Sequence, residues 1–366
     1  MRIRSLIAAG AVPALACAGV LPGLTGIGAA AQTPTRALPA AGPVPAGFQP
    51  DSVTFVSASD GWVLGTAPCA HKPCTSVLST TNGGRTWQGI PAPRYPLARF
   101  AGQKGLDRLR FASTATGYAY GSQLWVTHNG GAGWHRVAFP GYVADLETAG
   151  GVAYAASVTP HEAVTIYRST IGTDSWSRVS GLPAGVTGFG GLGTITLHGT
   201  AGWVNLGSHV YATTTGESWT RLGFRCPHDY GIASIGAFSS DRVTLLCAGQ
   251  PAVGSTQKLL YYSVDGGTHF VKVGSPPSGG DGGVLAQPGS AHVFIATASG
   301  ATWLYVSTDG GRHWRNSLLL DDGGKGWADF GFTTASQGVA VEGVPALGSH
   351  MYMTYNSGRS WHRVTF

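Results

Sequence analysis

Residues 307–314 read STDGGRHW, and the same eight-residue pattern returns along the chain. It stands as TTNGGRTW at 80–87, THNGGAGW at 127–134, STIGTDSW at 169–176, ATTTGESW at 212–219, SVDGGTHF at 263–270 and TYNSGRSW at 354–361. The copies close on Trp87, Trp134, Trp176, Trp219, Phe270, Trp314 and Trp361, and subtraction gives spacings of 47, 42, 43, 51, 44 and 47 residues. Ser or Thr at the first position and Asp or Asn at the third can bond to backbone groups of a tight turn. Glycine pairs such as Gly83-Gly84 and Gly310-Gly311 tolerate the positive φ that the turn needs. The closing indole offers a large apolar surface to bury near a sheet edge.

A second element precedes each copy: an apolar strand, a polar turn, then Gly and another strand. It reads VTFVSASDGWVLG from Val53, LRFASTATGYAYG from Leu109 and ITLHGTAGWVNLG from Ile195, with weaker copies near Ile235, Val284 and Phe330. The unit is therefore strand A, turn, strand B, loop, strand C, box turn, strand D. Four strands in about 40–50 residues is the period of a propeller blade. The expected fold class is all-β: a seven-bladed β-propeller over 51–366, four antiparallel strands per blade, with a box in each C–D turn. The chain stops on strand D, so the ring is expected to close without strand exchange, with residues 48–50 adding a short edge contact.

Upstream of the repeats, Arg2 and Arg4, an apolar run over 5–20 and Ala29-Ala30-Ala31 have the layout of an export signal over 1–31. The Pro/Ala-rich stretch 32–50 lacks periodicity and reads as a linker. The expected location is extracellular or cell-surface. Lipid anchoring through Cys17 is the disfavoured variant, because Ala14 occupies a place where a bulky aliphatic is usual. Four further cysteines, an even number in an exported chain, suggest disulfides, and three pairings are formally open. The short CAHKPC loop favours Cys69 with Cys74, which leaves Cys226 with Cys247.

Charged residues are only 11% of the chain and Gly reaches 57 of 366, a profile of many short, turn-rich strands. The net charge of +6 reflects few acids, and no Lys/Arg run exists, which argues against nucleic acid as a partner. No later stretch is long and apolar enough to span a bilayer.

The boxes resemble the Asp-box, or bacterial neuraminidase repeat, S-x-D-x-G-x-T-W, over essentially the whole chain after the linker. Copies five and six match through Ser263, Asp265 and Gly267, and through Ser307, Asp309, Gly311 and Trp314, and depart from the motif at His269, Phe270 and His313. Copy three has Ile171 and Thr173 in place of the acid and Gly, and copy four carries Ala212 and Thr214. The resemblance implies C–D and A–B turns on one face, with B–C loops and D–A links on the other, around a central funnel. The box residues themselves read as turn clasps, not catalytic groups.

Ligand-binding candidates accordingly lie in the funnel-face loops. The link after blade one offers Arg94, Tyr95, Arg99 and Arg108, and the blade-three B–C loop offers His161 and Glu162. The link into blade five offers Arg225, His228, Asp229 and Tyr230. The last link offers Asp321, Asp322, Trp327 and Asp329, with Lys325 beside them. Basic, acidic and aromatic groups from several blades suit a sugar or a peptide carboxylate. All four paired cysteines map to the same face.

Sialidases share the repeat, but their Arg-Ile-Pro motif is missing; Arg94-Tyr95-Pro96 is a loose echo, and acids such as Glu147, Glu162, Glu217 and Glu342 are few. No nucleophile-elbow, zincin, phosphate-loop or zinc-spaced motif is present. The layout is more similar to photosystem II assembly factor-like propellers. The expected function is therefore an exported, monomeric binding or scaffold propeller for a protein or cell-surface glycan, with no cofactor, no metal and no catalytic residue assigned. The alternative is a sialidase-like or other glycoside hydrolase.

Overall fold

Strands that are apolar on both faces must be covered on both sides, and the chain meets that demand by stacking sheets around a ring. The computed structural model describes residues 41–70, 73–187 and 194–366, so the expected signal peptide and Cys17 lie outside the described residues. Seven sheets form, each of four strands in chain order, and every neighbouring pair is antiparallel. Their innermost strands, the A strands, are Gln49–Phe55, Leu106–Phe111, Tyr142–Ala149, Thr194–His198, Gly231–Ala237, Asp281–Ala286 and Trp327–Phe332. Each lies against the next and the seventh returns to the first, so the expected seven-bladed propeller is the observed fold. Among the described residues the one helical element is a 3-10 turn at Pro345–Leu347.

The apolar core divides into seven clusters, and each lies between two successive blades. Strand B explains why: Val63 faces the cluster shared with blade seven, whereas Trp62 and Leu64 face blade two. Alternate side chains leave opposite faces of a strand, so a sheet sandwiched on both sides has little room for charge. That is the physical origin of the charge-poor composition.

The glycine that opens strand B in several repeats has a steric cause. A Cβ on Gly61 would stand 2.5 Å from the Phe55 ring, on Gly117 2.6 Å from Phe111, and on Gly338 2.6 Å from Phe332. The aromatic that ends strand A folds over this position, and the box tryptophan meets it edge-on. Phe55 with Trp87, Phe111 with Trp134 and Phe332 with Trp361 all have centroids about 6 Å apart.

Adjacent blades are stitched at two radii. Near the axis, a polar side chain of one A strand accepts the amide of the next. Asp329 Oδ2 takes Val53 N at 2.9 Å, Ser52 Oγ takes Leu109 N at 3.0 Å, Asp145 Oδ2 takes Ile195 N at 2.9 Å and Ser234 Oγ takes Leu285 N at 3.0 Å. These acceptors occupy one position, immediately after the register slip that interrupts the A–B ladder in blades one, five and seven. Farther out, Trp62 Nε1 donates to Gly130 O at 3.2 Å, Tyr154 Oη to Gly216 O at 2.6 Å, Trp203 Nε1 to Gly266 O at 2.9 Å and Tyr355 Oη to Gly83 O at 2.9 Å. Each acceptor is a glycine carbonyl in the next blade's box turn.

Within a well-formed box, Ser307 Oγ donates to Asp309 Oδ1 at 2.8 Å and accepts Gly311 N at 2.7 Å, and Asp309 Oδ1 accepts His313 N at 2.9 Å. Copy four keeps its clasp by moving it one residue: Thr213 Oγ1, not position 212, accepts Gly216 N at 2.8 Å. Copy three has lost it, and Ser169 Oγ turns to Thr170 O and Thr173 Oγ1. Trp314, expected to be buried, is half-buried, with Nε1 bonded to Gly311 O at 3.0 Å.

Closure needs no exchanged strand. Ser52 Oγ donates to Asp329 Oδ2 at 2.7 Å, and Phe48 meets Phe366 edge-on at 4.9 Å. Phe48 is buried and strand A begins at Gln49, so 48–50 do more than cap an edge. Gly42 pairs with Gly89 in both directions, holding the end of the Pro/Ala-rich stretch against blade one. Both expected disulfides are present, Cys69–Cys74 and Cys226–Cys247.

Two stability outcomes follow from these contacts. Asp329→Ala strands the Val53 amide and the Ser52 hydroxyl at the ring closure, and should cost about 2–3 kcal/mol in urea unfolding. Replacing Cys226 and Cys247 together by Ser removes a cross-link with a sequence separation of 21 residues and should cost about 3 kcal/mol by the chain-entropy argument. The Cys69 and Cys74 pair, separated by 5 residues, should cost less in the same experiment.

Candidate functional site

The A strands enter the ring from the face that carries the D–A links and B–C loops, and their register slips turn extra side chains toward the axis there. In blades one and two those residues are Asp51 and Asp107. Together with Arg108 they line a pocket of about 300 Å³ between blades seven, one and two. Arg99 and Phe100 from the blade one–two link, Lys325 from the last link, and Val344 and Leu347 from the blade-seven B–C loop complete its wall.

The base of the pocket is electrostatically unbalanced. Asp51, Asp107 and Asp329 all act on the guanidinium of Arg108. Burial works against the Arg108 charge, yet the three acids hold its pKa above the ordinary value. Asp51 is 3% exposed, and burial pushes its carboxyl up to about 8, opposed by Arg108 and reinforced by Asp107 and Asp329. Keeping one carboxyl protonated relieves the excess of buried negative charge. Asp107 is fixed by Tyr142, whose hydroxyl donates to Asp107 Oδ2 and accepts Gly102 N at 2.8 Å. Arg108 Nη1 donates to Asp107 O at 2.7 Å. At the rim, Lys325 Nζ stands 3.6 Å from Glu342 Oε1, which shares its carboxylate with His350 at 2.8 Å, and the guanidinium of Arg99 lies 5.6 Å from the Phe100 ring centre.

Of the residues singled out from sequence, Arg99 and Arg108 come together here with Lys325. Trp327, expected on an exposed loop, is fully buried and donates from Nε1 to Trp303 O at 2.9 Å. Asp329 is 2% exposed and closes the ring. Those two are corrections: a residue at the first turn into strand A is already inside the ring, so neither meets solvent. Asp322 caps its own link, accepting Thr302 Oγ1 at 2.8 Å and Gly324 N at 2.9 Å, while Asp321 is exposed.

The remaining candidates sit apart. Arg94 is exposed and Tyr95 is tied to Ser122 at 3.2 Å. His161 and Glu162 are exposed at the blade-three loop, where Glu162 takes a left-handed backbone at φ 58°. On the link into blade five, Arg225 Nη2 donates to His209 Nε2 at 3.0 Å, His228 faces Asp229 at 2.9 Å and Tyr230 donates to Gln257 at 3.0 Å. Lys258, also on this face, is buried. Its Nζ donates to Thr256 O and Gly280 O at 2.9 Å, and burial pushes it down to about 8.

Sequence reasoning missed Asp51 and Asp107. The signal was present: an Asp stands two residues before the core Val or Leu of strand A in both repeats, Asp51 before Val53 and Asp107 before Leu109. It also missed the larger concavity, about 570 Å³, which opens on the box-turn face between the A–B turns. There Arg110 and Glu147 are already paired at 2.6 Å. Sequence reasoning gave no sign either that, among the described residues, His128 and His135 of blade two meet Asp174 of blade three.

The fold and this pocket define a seven-bladed β-propeller with a charged, partly apolar cleft at its funnel face. No family model and no curated protein sequence matches the chain. Among solved structures, YCF48 bound to D1 peptide is similar over 87% of this chain and 99% of its own, with 16% identity and a TM-score of 0.58. YCF48 from Cyanidioschyzon merolae is similar over 86% and 98%, with 18% identity and a TM-score of 0.58. A GH74 enzyme of Niastella koreensis covers 86% of this chain and 65% of its own at 14% identity, but its TM-score of 0.44 carries no argument. At these identities the likeness establishes the fold alone.

The raised Asp51 carboxyl sets a pH dependence with a definite sign. Between its ordinary value of 3.8 and its folded value of about 8, the folded state holds a proton that the unfolded state has released. Stability therefore falls as pH rises through that window. Asp51→Asn should flatten the slope, leaving stability little changed near the low end and raising it relative to the parent protein near the high end. Urea midpoints measured across the window check this.

Proposed function

We propose that this chain is an exported Asp-box propeller that serves as a binding or scaffold module for a protein partner. An extended segment of that partner sits in the pocket between blades seven, one and two. The observation that carries the reading is the pocket's construction. Two cationic side chains, Arg99 and Lys325, stand at the rim over apolar walls from Phe100, Ala328, Val344 and Leu347, and a protonated Asp51 lies at the base. A carboxylate, either a chain end or an Asp or Glu, meets the rim charges, and a neighbouring apolar side chain enters the cleft. Asp51 donates a hydrogen bond to a peptide carbonyl. The printed title of a fold neighbour, YCF48 bound to D1 peptide, supports a protein as the class of partner. Two disulfides on the same face suit an oxidising compartment and a rigid binding surface.

One observation favours a second reading, glycoside hydrolysis: an acid that keeps its proton near neutral pH beside a second carboxyl, Asp107, is the arrangement a glycosidase needs. A sialidase-like mechanism is less well supported, because Arg110, the next arginine along the same strand as Arg108, is committed to Glu147 on the opposite side of the ring.

The two readings separate in one set of measurements. Purified protein titrated against peptides ending in a free carboxylate should bind some of them. Arg99→Ala or Lys325→Ala should weaken binding about tenfold, the size of one charge-assisted hydrogen bond. For Arg99→Ala unfolding stability should move by no more than about 0.5 kcal/mol, whereas Lys325→Ala also removes the cation beside buried Glu342 and should lower it further. Amidated versions of the same peptides should bind like the variants. Release of sugar from a glycoside panel, abolished by Asp51→Asn, would overturn the binding reading in favour of the second.

A further inference from the structure

The third box turn has given up its clasp, and its acid has reappeared elsewhere. In well-formed boxes the acid stands at the third position and accepts the amide of the seventh, as Asp265 does from His269 at 2.9 Å and Asp309 from His313 at 2.9 Å. Copy three has Ile171 there, and its carboxylate is Asp174, three residues later, in a left-handed backbone at φ 55°. From that position the side chain reaches across the interface to blade two. Asp174 Oδ2 lies 2.9 Å from His128 Nε2 and 2.8 Å from His135 Nε2. His128 is the second residue of blade two's own box and His135 follows its closing Trp134, so one turn presents both imidazoles to one carboxylate.

We propose that His128, His135 and Asp174 form a divalent transition-metal site of the zinc class that joins blades two and three on the box-turn face. Four observations carry this. The ligating atoms of the three side chains all lie within 4.8 Å of one another. Two imidazole nitrogens converge on the same oxygen, which a single hydrogen-bonded pair does not require. The other two His–carboxylate contacts of this face, His269 with Asp265 and His313 with Asp309, each involve one imidazole of the same turn. Finally, Asp174 Oδ1 is buried and has no hydrogen-bond partner. Such an atom is costly to leave unsatisfied, and a cation held on this carboxylate would offset that cost.

The geometry needs only a small adjustment. Tetrahedral zinc bonds of about 2.0–2.1 Å place neighbouring donors about 3.3 Å apart. The present nitrogen-to-oxygen distances of 2.8 and 2.9 Å must therefore open by roughly half an ångström. His128 and His135 are 37% and 52% exposed, so their rings can swing outward by that amount. Imidazole with one carboxylate suits zinc or copper rather than calcium or magnesium, which take oxygen ligands. Three protein ligands leave a fourth tetrahedral position open to water or to a donor from a partner.

The test is a Zn²⁺ titration of the full chain after chelator treatment, read by calorimetry and by competition with a chromophoric chelator. One equivalent should bind, and His128→Ala, His135→Ala and Asp174→Asn should each weaken that site by more than about a hundredfold, beyond the effect of losing an outer-shell partner. His313→Ala, which breaks a one-imidazole pair of another box, should leave it unchanged. Co²⁺ in place of Zn²⁺ should show visible bands of a low-coordinate nitrogen–oxygen site, and these should vanish in the same three variants. Circular dichroism of each variant confirms that the ring is intact. Absence of stoichiometric binding, or equal Zn²⁺ affinity in the parent and the three variants, would overturn the proposal.

Discussion

The carboxylate of Asp329 accepts both the Ser52 hydroxyl and the Val53 amide, and so joins the last blade to the first. An innermost strand is an edge strand, with one row of backbone groups left unpaired by its own sheet. Side chains from the preceding blade satisfy some of those groups at four interfaces of the ring. The contact at Asp329 joins the two ends of the ring at its inner radius, with Tyr355 Oη to Gly83 O and the Phe48–Phe366 pair farther out, because residues so far apart in sequence gain nothing from chain connectivity. Where the clasp is absent, other bonds replace it. Arg110 pairs with Glu147 between blades two and three, and Thr196 donates to Ile235 O between blades four and five.

The same constraint produces the pocket. Near the start of the A strands of blades one and two a slip of register places Asp51 and Asp107 beside Arg108 at the funnel face. Burial of Asp51 beside two further carboxyls is unfavourable unless a proton stays behind, and Asp51 retains it. Architecture and electrostatics are therefore two aspects of one arrangement: the contacts that close the ring leave a polarised cleft beside the seam. The boxes serve a second purpose through the same economy. Their side chains clasp their own turns, and their glycine carbonyls receive an indole or phenol from the preceding blade.

Much of the ring was legible without coordinates. The box pattern is local chemistry, and its spacing counts blades directly, down to the weakness of copy three. The glycine opening strand B was legible as a motif, but not its cause, because the ring that excludes a Cβ belongs to strand A of the same blade and lies over it only after folding. Arg99, Arg108 and Lys325 were identified as funnel-face cations from their place in links. Trp327 and Asp329 were placed on the surface by the same reasoning, yet they are interior. Sequence position marks where a link ends only to within a residue or two, and at this seam that margin separates solvent from core.

The sequence by itself determined the number of blades, the strand order and the turn chemistry, since each follows from residues near one another along the chain; it favoured the observed pairing of the cysteines among three open ones. Tertiary structure alone decided which carboxyls share a guanidinium, which faces of strand B meet which neighbour, and where Asp174 reaches. Those relations join residues of different blades, and propensity and periodicity describe only the blade. Neighbouring repeats are brought side by side by closure of the ring, and only that closure turns scattered acids and histidines into sites.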